Sequence, residues 1–130
     1  MQTTAIDHVN LYIPETGVED ALRFYRDRLG FETENVEAYR RGDRSLFTFR
    51  PRGGGCVIHV IPDDGFEAPG HNYNHLAIDL DAPTEEVETL IDTAGWTVER
   101  RRDRGNRPGA DVAIYVRDPF GYTVELRPSG

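Results

Sequence analysis

Three histidines and one glutamate carry the chemistry open to this chain. His8 stands second in "DHVNLYI" (7–13) and His75 stands second in "NHLAIDL" (74–80), two near-copies 67 positions apart. His59 lies inside "CVIHVIP" (56–62) and Glu125 inside "YTVELRP" (122–128), 66 positions apart. Alternation in the first segment puts Val9, Leu11 and Ile13 on an apolar face and leaves His8, Asn10 and Tyr12 on the other. In the second, Leu76, Ile78 and Leu80 are apolar and His75, Ala77 and Asp79 face away. A lone strand histidine is more often structural than a ligand. Two imidazoles at repeat-related positions, a third imidazole and one carboxylate form a mixed nitrogen and oxygen set suited to a single divalent transition ion such as Ni, Co, Mn, Fe or Zn.

The elements that must hold these residues also recur. Residues 5–13 read as a strand. "TGVEDALRFYRDRLGF" reads as one amphipathic helix, with Thr16 and Glu19 at capping-box spacing, Val18, Leu22, Tyr25 and Leu29 on its stripe, and Gly30 as its stop. Residues 31–38, 45–50 and 56–61 are strand-like, with "RRGDR" and "RPRGGG" as turns. The order then restarts: a strand at 74–80, a helix at 84–94 with Val87, Leu90, Ile91 and Ala94 on one side and Gly95 as its stop, then strands at about 96–101, 112–117 and 122–127. Gly30 to Gly95 is 65 positions and Pro62 to Pro128 is 66, so the offset stays nearly constant, as a duplicated module requires. We expect a single domain over 1–130, made of one module at about 4–62, a linker at 63–72 rich in Pro, Gly and Asp, and a second module at about 73–128.

Composition excludes several function classes. Asp and Glu number 23 against 15 Lys plus Arg, for a formal charge of −8, and every basic residue is arginine. Such a surface repels phosphate backbones and anionic membranes, so no nucleic-acid or membrane partner is expected. No run of apolar residues is long enough for a membrane helix and "MQTTAIDH" does not resemble a signal peptide, so a cytoplasmic protein is expected. The single cysteine, Cys56, cannot form an internal disulfide. "ERRRDRGNRPG" is either a flap that clamps an anionic substrate, with Arg107 its best candidate, or solvated surface. Asn10, Tyr12, Phe49 and Tyr115 are candidates to line a substrate pocket, although strand aromatics usually serve packing.

The segments "DHVNLYI", "ALRFYRDRLGF", "NHLAIDL" and "YVRDPFGYTVEL" together resemble the vicinal oxygen chelate superfamily, the glyoxalase, bleomycin-resistance and extradiol-dioxygenase group. The resemblance implies an α+β fold in which two tandem βαβββ modules form an open, cupped mixed sheet with helices outside. It implies a metal held by His8, His59, His75 and Glu125, a small substrate chelated through two neighbouring oxygens, and a homodimer. The activity it points to is a glyoxalase I-like isomerase or lyase with Glu125 as the proton-moving base. Glyoxalases usually carry a glutamate where this chain has His59. Two alternatives stay open: an extradiol-type Fe(II) dioxygenase using His8, His75 and Glu125, and a non-catalytic small-molecule-binding protein of the bleomycin-resistance kind.

Overall fold

The computed structural model of the chain describes residues 1–103 and 112–129. Arg107 and most of the loop around it lie outside the described residues. The chain divides into two compact units, Met1–Glu67 and Ala68–Gly130.

In the first unit, strand β1 (His8–Pro14) leads into a 3₁₀ turn (Glu15–Gly17), helix α1 (Val18–Ala21) and a π-helical stretch (Leu22–Arg28). Strand β2 (Glu32–Glu34), helix α2 (Val36–Arg40), β3 (Phe47–Arg50) and β4 (Val57–Asp63) follow. The sheet order is β1-β4-β3-β2, with β1 parallel to β4 and the other pairs antiparallel. Apolar alternation assigns the faces. Phe47 opposes Val60 and Phe49 opposes Ile58, while Thr48 opposes His59 and Asn10 lies beside His59. One face is therefore polar and holds His8, Asn10, Thr48 and His59. The other is an aromatic core in which Phe49, fully buried, meets Tyr25 at 5.1 Å and Phe47 at 5.6 Å between ring centroids.

The helix differs from the expected three regular turns. Its residues tighten first and then widen: Leu29 N–H donates to the Phe24 carbonyl at 3.1 Å, a five-residue step. This widening lets adjacent pairs, Ala21 with Leu22 and Phe24 with Tyr25, all reach the core. Thr16 falls inside the 3₁₀ turn, and no side chain caps the helix start, so the expected capping box is not formed. Gly30 does end the helix, with φ +79°.

A second correction concerns 31–38, expected as one strand. Asn35 adopts φ +68°, which breaks the strand after Glu34, and Val36–Arg40 form a helical turn. Asparagine tolerates the left-handed region, and the turn is repaid by tertiary contacts that no local pattern encodes: Val36 is buried and Tyr39 packs on Phe47.

The second unit repeats the plan with β5 (Leu76–Asp79), α3 (Thr84–Ala94), β6 (Val98–Asp103), β7 (Val112–Arg117) and β8 (Thr123–Arg127), in the order β5-β8-β7-β6 and again with a parallel first pair. Helix α3 has the expected bounds and ends on Gly95 at φ +71°, burying Val87 and Ile91. Both units are thus βαβββ modules, each with a four-stranded mixed sheet. Strand β6 starts and ends about two residues later than the expected 96–101, so it takes in Arg102 and Asp103. Its Arg101 pairs with Glu88 of α3, which places Arg101 on the helix side and Arg100 and Arg102 on the opposite face.

Candidate metal centre

Each unit brings two of the four candidate ligands together. In the first unit, Asn10 and His59 are paired in register and His8 lies two residues before Asn10, so both imidazoles rise from the polar face. Their ring centroids are 4.3 Å apart. In the second, Ala77 and Glu125 are paired in register and His75 lies two residues before Ala77. His75 Nε2 stands 3.6 Å from Glu125 Oε2. Among the described residues, no group of three or more His, Cys, Asp and Glu side chains gathers as a metal-holding set.

Every candidate ligand is gripped from behind. The Nδ1 of His8 lies 2.8 Å from Asp7 Oδ2, and that of His75 lies 2.6 Å from Asn74 Oδ1. The His59 Nδ1 lies 2.8 Å from the Thr48 hydroxyl. The Tyr115 hydroxyl donates to Glu125 Oε1 at 2.7 Å. A carboxylate and an amide oxygen only accept, so His8 and His75 must each donate from Nδ1, which leaves the lone pair of a neutral ring on Nε2. Thr48 can donate or accept and leaves His59 either choice. The hydrogen bond from His8 holds the Asp7 carboxyl below its ordinary value.

These holders obey the repeat. The residue before the histidine grips it in both units, and a hydroxyl on the neighbouring antiparallel strand, Thr48 on β3 or Tyr115 on β7, grips the residue on the last strand. Motif reading missed this layer. The offset of 67 from Thr48 to Tyr115, which matches the offset from His8 to His75, was the signal that could have found it.

With a neutral ring on His75, its Nε2 and Glu125 Oε2 would face each other as two acceptors with no donor between them. Only a proton or a cation relieves that arrangement. Two ligands of one ion, each about 2.0–2.2 Å from it, can sit 3.6 Å apart. That pair therefore fits two ligands of a divalent metal, with the grip on each far atom fixing orientation, as is usual for metal-ligating side chains.

The expected pocket residues fare differently. Asn10 and Tyr12 share the His8 face and are exposed. Tyr115 shares the Glu125 face and is 3% exposed, its hydroxyl engaged by the carboxylate. Phe49 is a correction: alternation turns it to the face opposite His59, into the aromatic core, so it cannot line a pocket on the histidine face. The closing turn "RDPFGYTVEL" is built on Asp118, buried, whose Oδ1 accepts from the Phe120 and Tyr122 backbone N–H groups at 2.9 Å each. That turn delivers Thr123 into β8 in the parity that aims Glu125 at His75.

The profile of the Glyoxalase/Bleomycin resistance protein/Dioxygenase superfamily matches residues 5–126, and the chain belongs to that superfamily. No curated protein matches the chain at significant similarity. Among solved structures it is similar to a lactoylglutathione lyase from Agrobacterium tumefaciens, at 21% identity over 98% of this chain and 96% of that one, with a TM-score of 0.67. It is similar to a glyoxalase/dioxygenase from Nostoc punctiforme, at 19% identity over 96% of this chain and 90% of that one, with a TM-score of 0.73. A third neighbour is a mutant of the fosfomycin resistance protein FosX from Listeria monocytogenes, in complex with Mn(II) and 1S,2S-dihydroxypropylphosphonic acid. It shows 18% identity over 99% of this chain and 95% of that one, with a TM-score of 0.74. At these identities the likeness is one of fold.

Proposed function

We propose that this protein is a divalent-metal-dependent enzyme whose ligands are His8, His59, His75 and Glu125, and that it acts as a glyoxalase I-like isomerase or lyase on a small substrate bound through two neighbouring oxygens. The observation that carries the reading is the facing pair His75 Nε2 and Glu125 Oε2 at 3.6 Å, each held from behind by a partner of its own. The metal-containing neighbour of the same fold supports it. When bound, the ion supplies Lewis-acid polarisation of the substrate oxygens.

The remaining work falls to the chain. Glu125, 8% exposed and anchored at Oε1 by Tyr115, is the carboxylate that accepts a proton from one substrate carbon and returns it to the next. Its burial keeps bulk water from competing for that proton. Asn10 and Tyr12 offer polar contacts to the substrate from the His8 face.

Thr48 favours the four-ligand set over a three-ligand oxygenase site. It grips His59 as Tyr115 grips Glu125, and this matching support favours reading His59 as a fourth ligand. Elemental analysis of protein purified without chelators tests the metal. We expect about one divalent ion per site, most of it lost in His8→Ala and in Glu125→Ala with the fold retained. Full occupancy in both variants would sink the site. For the reaction, we expect turnover of hemithioacetals that persists in His59→Glu. Oxygen uptake with catechols by the Fe(II)-loaded protein, with no hemithioacetal turnover, would move the assignment to the dioxygenase, and loaded protein that turns over neither would move it to a binding protein.

A further inference from the structure

Arg100 and Arg102 stand on the face of the second sheet that carries Tyr115 and Glu125, because β6 alternates and Arg101 between them is turned to Glu88. Both converge on one side chain. The Arg100 guanidinium carbon lies 4.4 Å from the Tyr115 ring centroid, and Arg102 Nη1 lies 3.5 Å from the Tyr115 hydroxyl. In a chain with 23 acidic residues, most arginines find a carboxylate: Arg40 has Glu19 and Glu37, Arg50 has Glu34, Arg117 has Glu99 and Arg127 has Asp79. Among the described residues, Arg100 and Arg102 show no such pairing. Arg28 and Arg44 show none either, so the missing acid is not by itself the signal. Place and convergence distinguish the β6 pair: two guanidinium groups stacked on and hydrogen-bonded to the tyrosine that holds Glu125.

We infer that the substrate carries an anionic oxygen group, a carboxylate or a phosphonate, and that Arg100 and Arg102 receive it. The inference rests on Glu125 marking the reacting end of the site, as proposed above. A chain of charge −8 repels small anions at long range, so a site that takes one must reverse the local sign. Arginine does so with a planar set of donors matched to two oxygens at once. The Tyr115 ring keeps Arg100 in place without neutralising it, since stacking on an aromatic face leaves the guanidinium edge free to donate.

The test uses the metal-free protein, so that anion binding is read independently of the metal. Methylphosphonate and acetate are titrated into labelled protein while the Arg side-chain N–H and Tyr115 ring signals are followed by NMR. We expect saturable shifts centred on Arg100, Arg102 and Tyr115 with at least one of the two probes, the tighter one naming the group. In R100A/R102A affinity should fall by about tenfold or more, with R100K/R102K intermediate and Arg28→Ala unchanged. Equal affinity in wild type and R100A/R102A, or shifts spread evenly over the arginines including Arg28, would overturn the inference. A parallel Mn(II) titration separates the two readings. Loss of anion binding with Mn(II) binding retained in R100A/R102A supports the subsite, whereas wild type that binds the anion but no Mn(II) removes the metal reading and leaves the arginine pair standing.

Discussion

At the scale of single residues, the candidate site is defined as much by the atoms that hold the four candidate ligands as by the candidate ligands themselves. Tyr115→Phe removes one hydroxyl and frees Glu125 Oε1, and Thr48→Val does the same for His59 Nδ1. Each should weaken Mn(II) binding by about 10–100-fold while the fold survives, a result to be read by calorimetric titration beside circular dichroism. Affinity unchanged in both would mean that these hydroxyls only satisfy buried partners. His8, His59, His75 and Glu125 were legible in the sequence as candidates because strand alternation and a constant offset need no tertiary information. Thr48 and Tyr115 were not legible as holders. Their role depends on which residue lies across the antiparallel ladder, and cross-strand register is set by turns and packing that a linear pattern does not contain. Phe49 shows the same blindness. Its parity within β3 was readable, but which face of β3 shares the histidines became known only from the pairing of Thr48 with His59.

At the scale of elements, the two helix-ending glycines make a matched pair. Gly30 at φ +79° and Gly95 at φ +71° have open space where a Cβ would stand, so an alanine there meets no clash and suffers only the backbone conformation. Gly30→Ala and Gly95→Ala should each lower stability by about 1 kcal/mol in denaturant unfolding. A loss from one and not the other would show that one helix end relaxes. The segment entering β5 is fastened differently. Tyr73 donates its hydroxyl to the Thr123 carbonyl at 3.4 Å and packs edge-on against Tyr122. Burial, aided by the nearby Asp118 carboxylate, pushes its phenol far above the ordinary value of 10.0. The unfolded chain releases that proton near pH 10 while the native chain keeps it. The contribution is therefore present in full below about pH 10 and is lost as pH rises toward the native value. Melting temperature should fall with pH across the alkaline range, and Tyr73→Phe should flatten that fall. An identical slope in the variant would assign the loss to other groups.

At the scale of the whole molecule, the sheet orders place β1 and β2 at the ends of one open sheet and β5 and β6 at the ends of the other, and strand edges invite pairing with further chain. We expect a twofold-symmetric homodimer, seen in sedimentation as twice the 14.7 kDa chain mass at micromolar concentration. A monomer alone at that concentration would count against it. No helix among the described residues is long and apolar enough to cross a membrane. The sequence by itself determined the duplication, the helix-stopping glycines, the bounds of α3 and the four candidate ligands, because each follows from local periodicity or from comparison of one half of the chain with the other. Tertiary structure decided the rest. The break of 31–38 at Asn35 and the widening of the first helix both exchange local regularity for burial of Val36, Leu22, Phe24 and Tyr25, the last of which packs on Phe49 of β3. Likewise, β6 runs on through Arg102 and Asp103, and Arg100 and Arg102 fall on the Glu125 face, through pairing with β7, since a run of charge carries no alternation and its orientation comes from the partner strand.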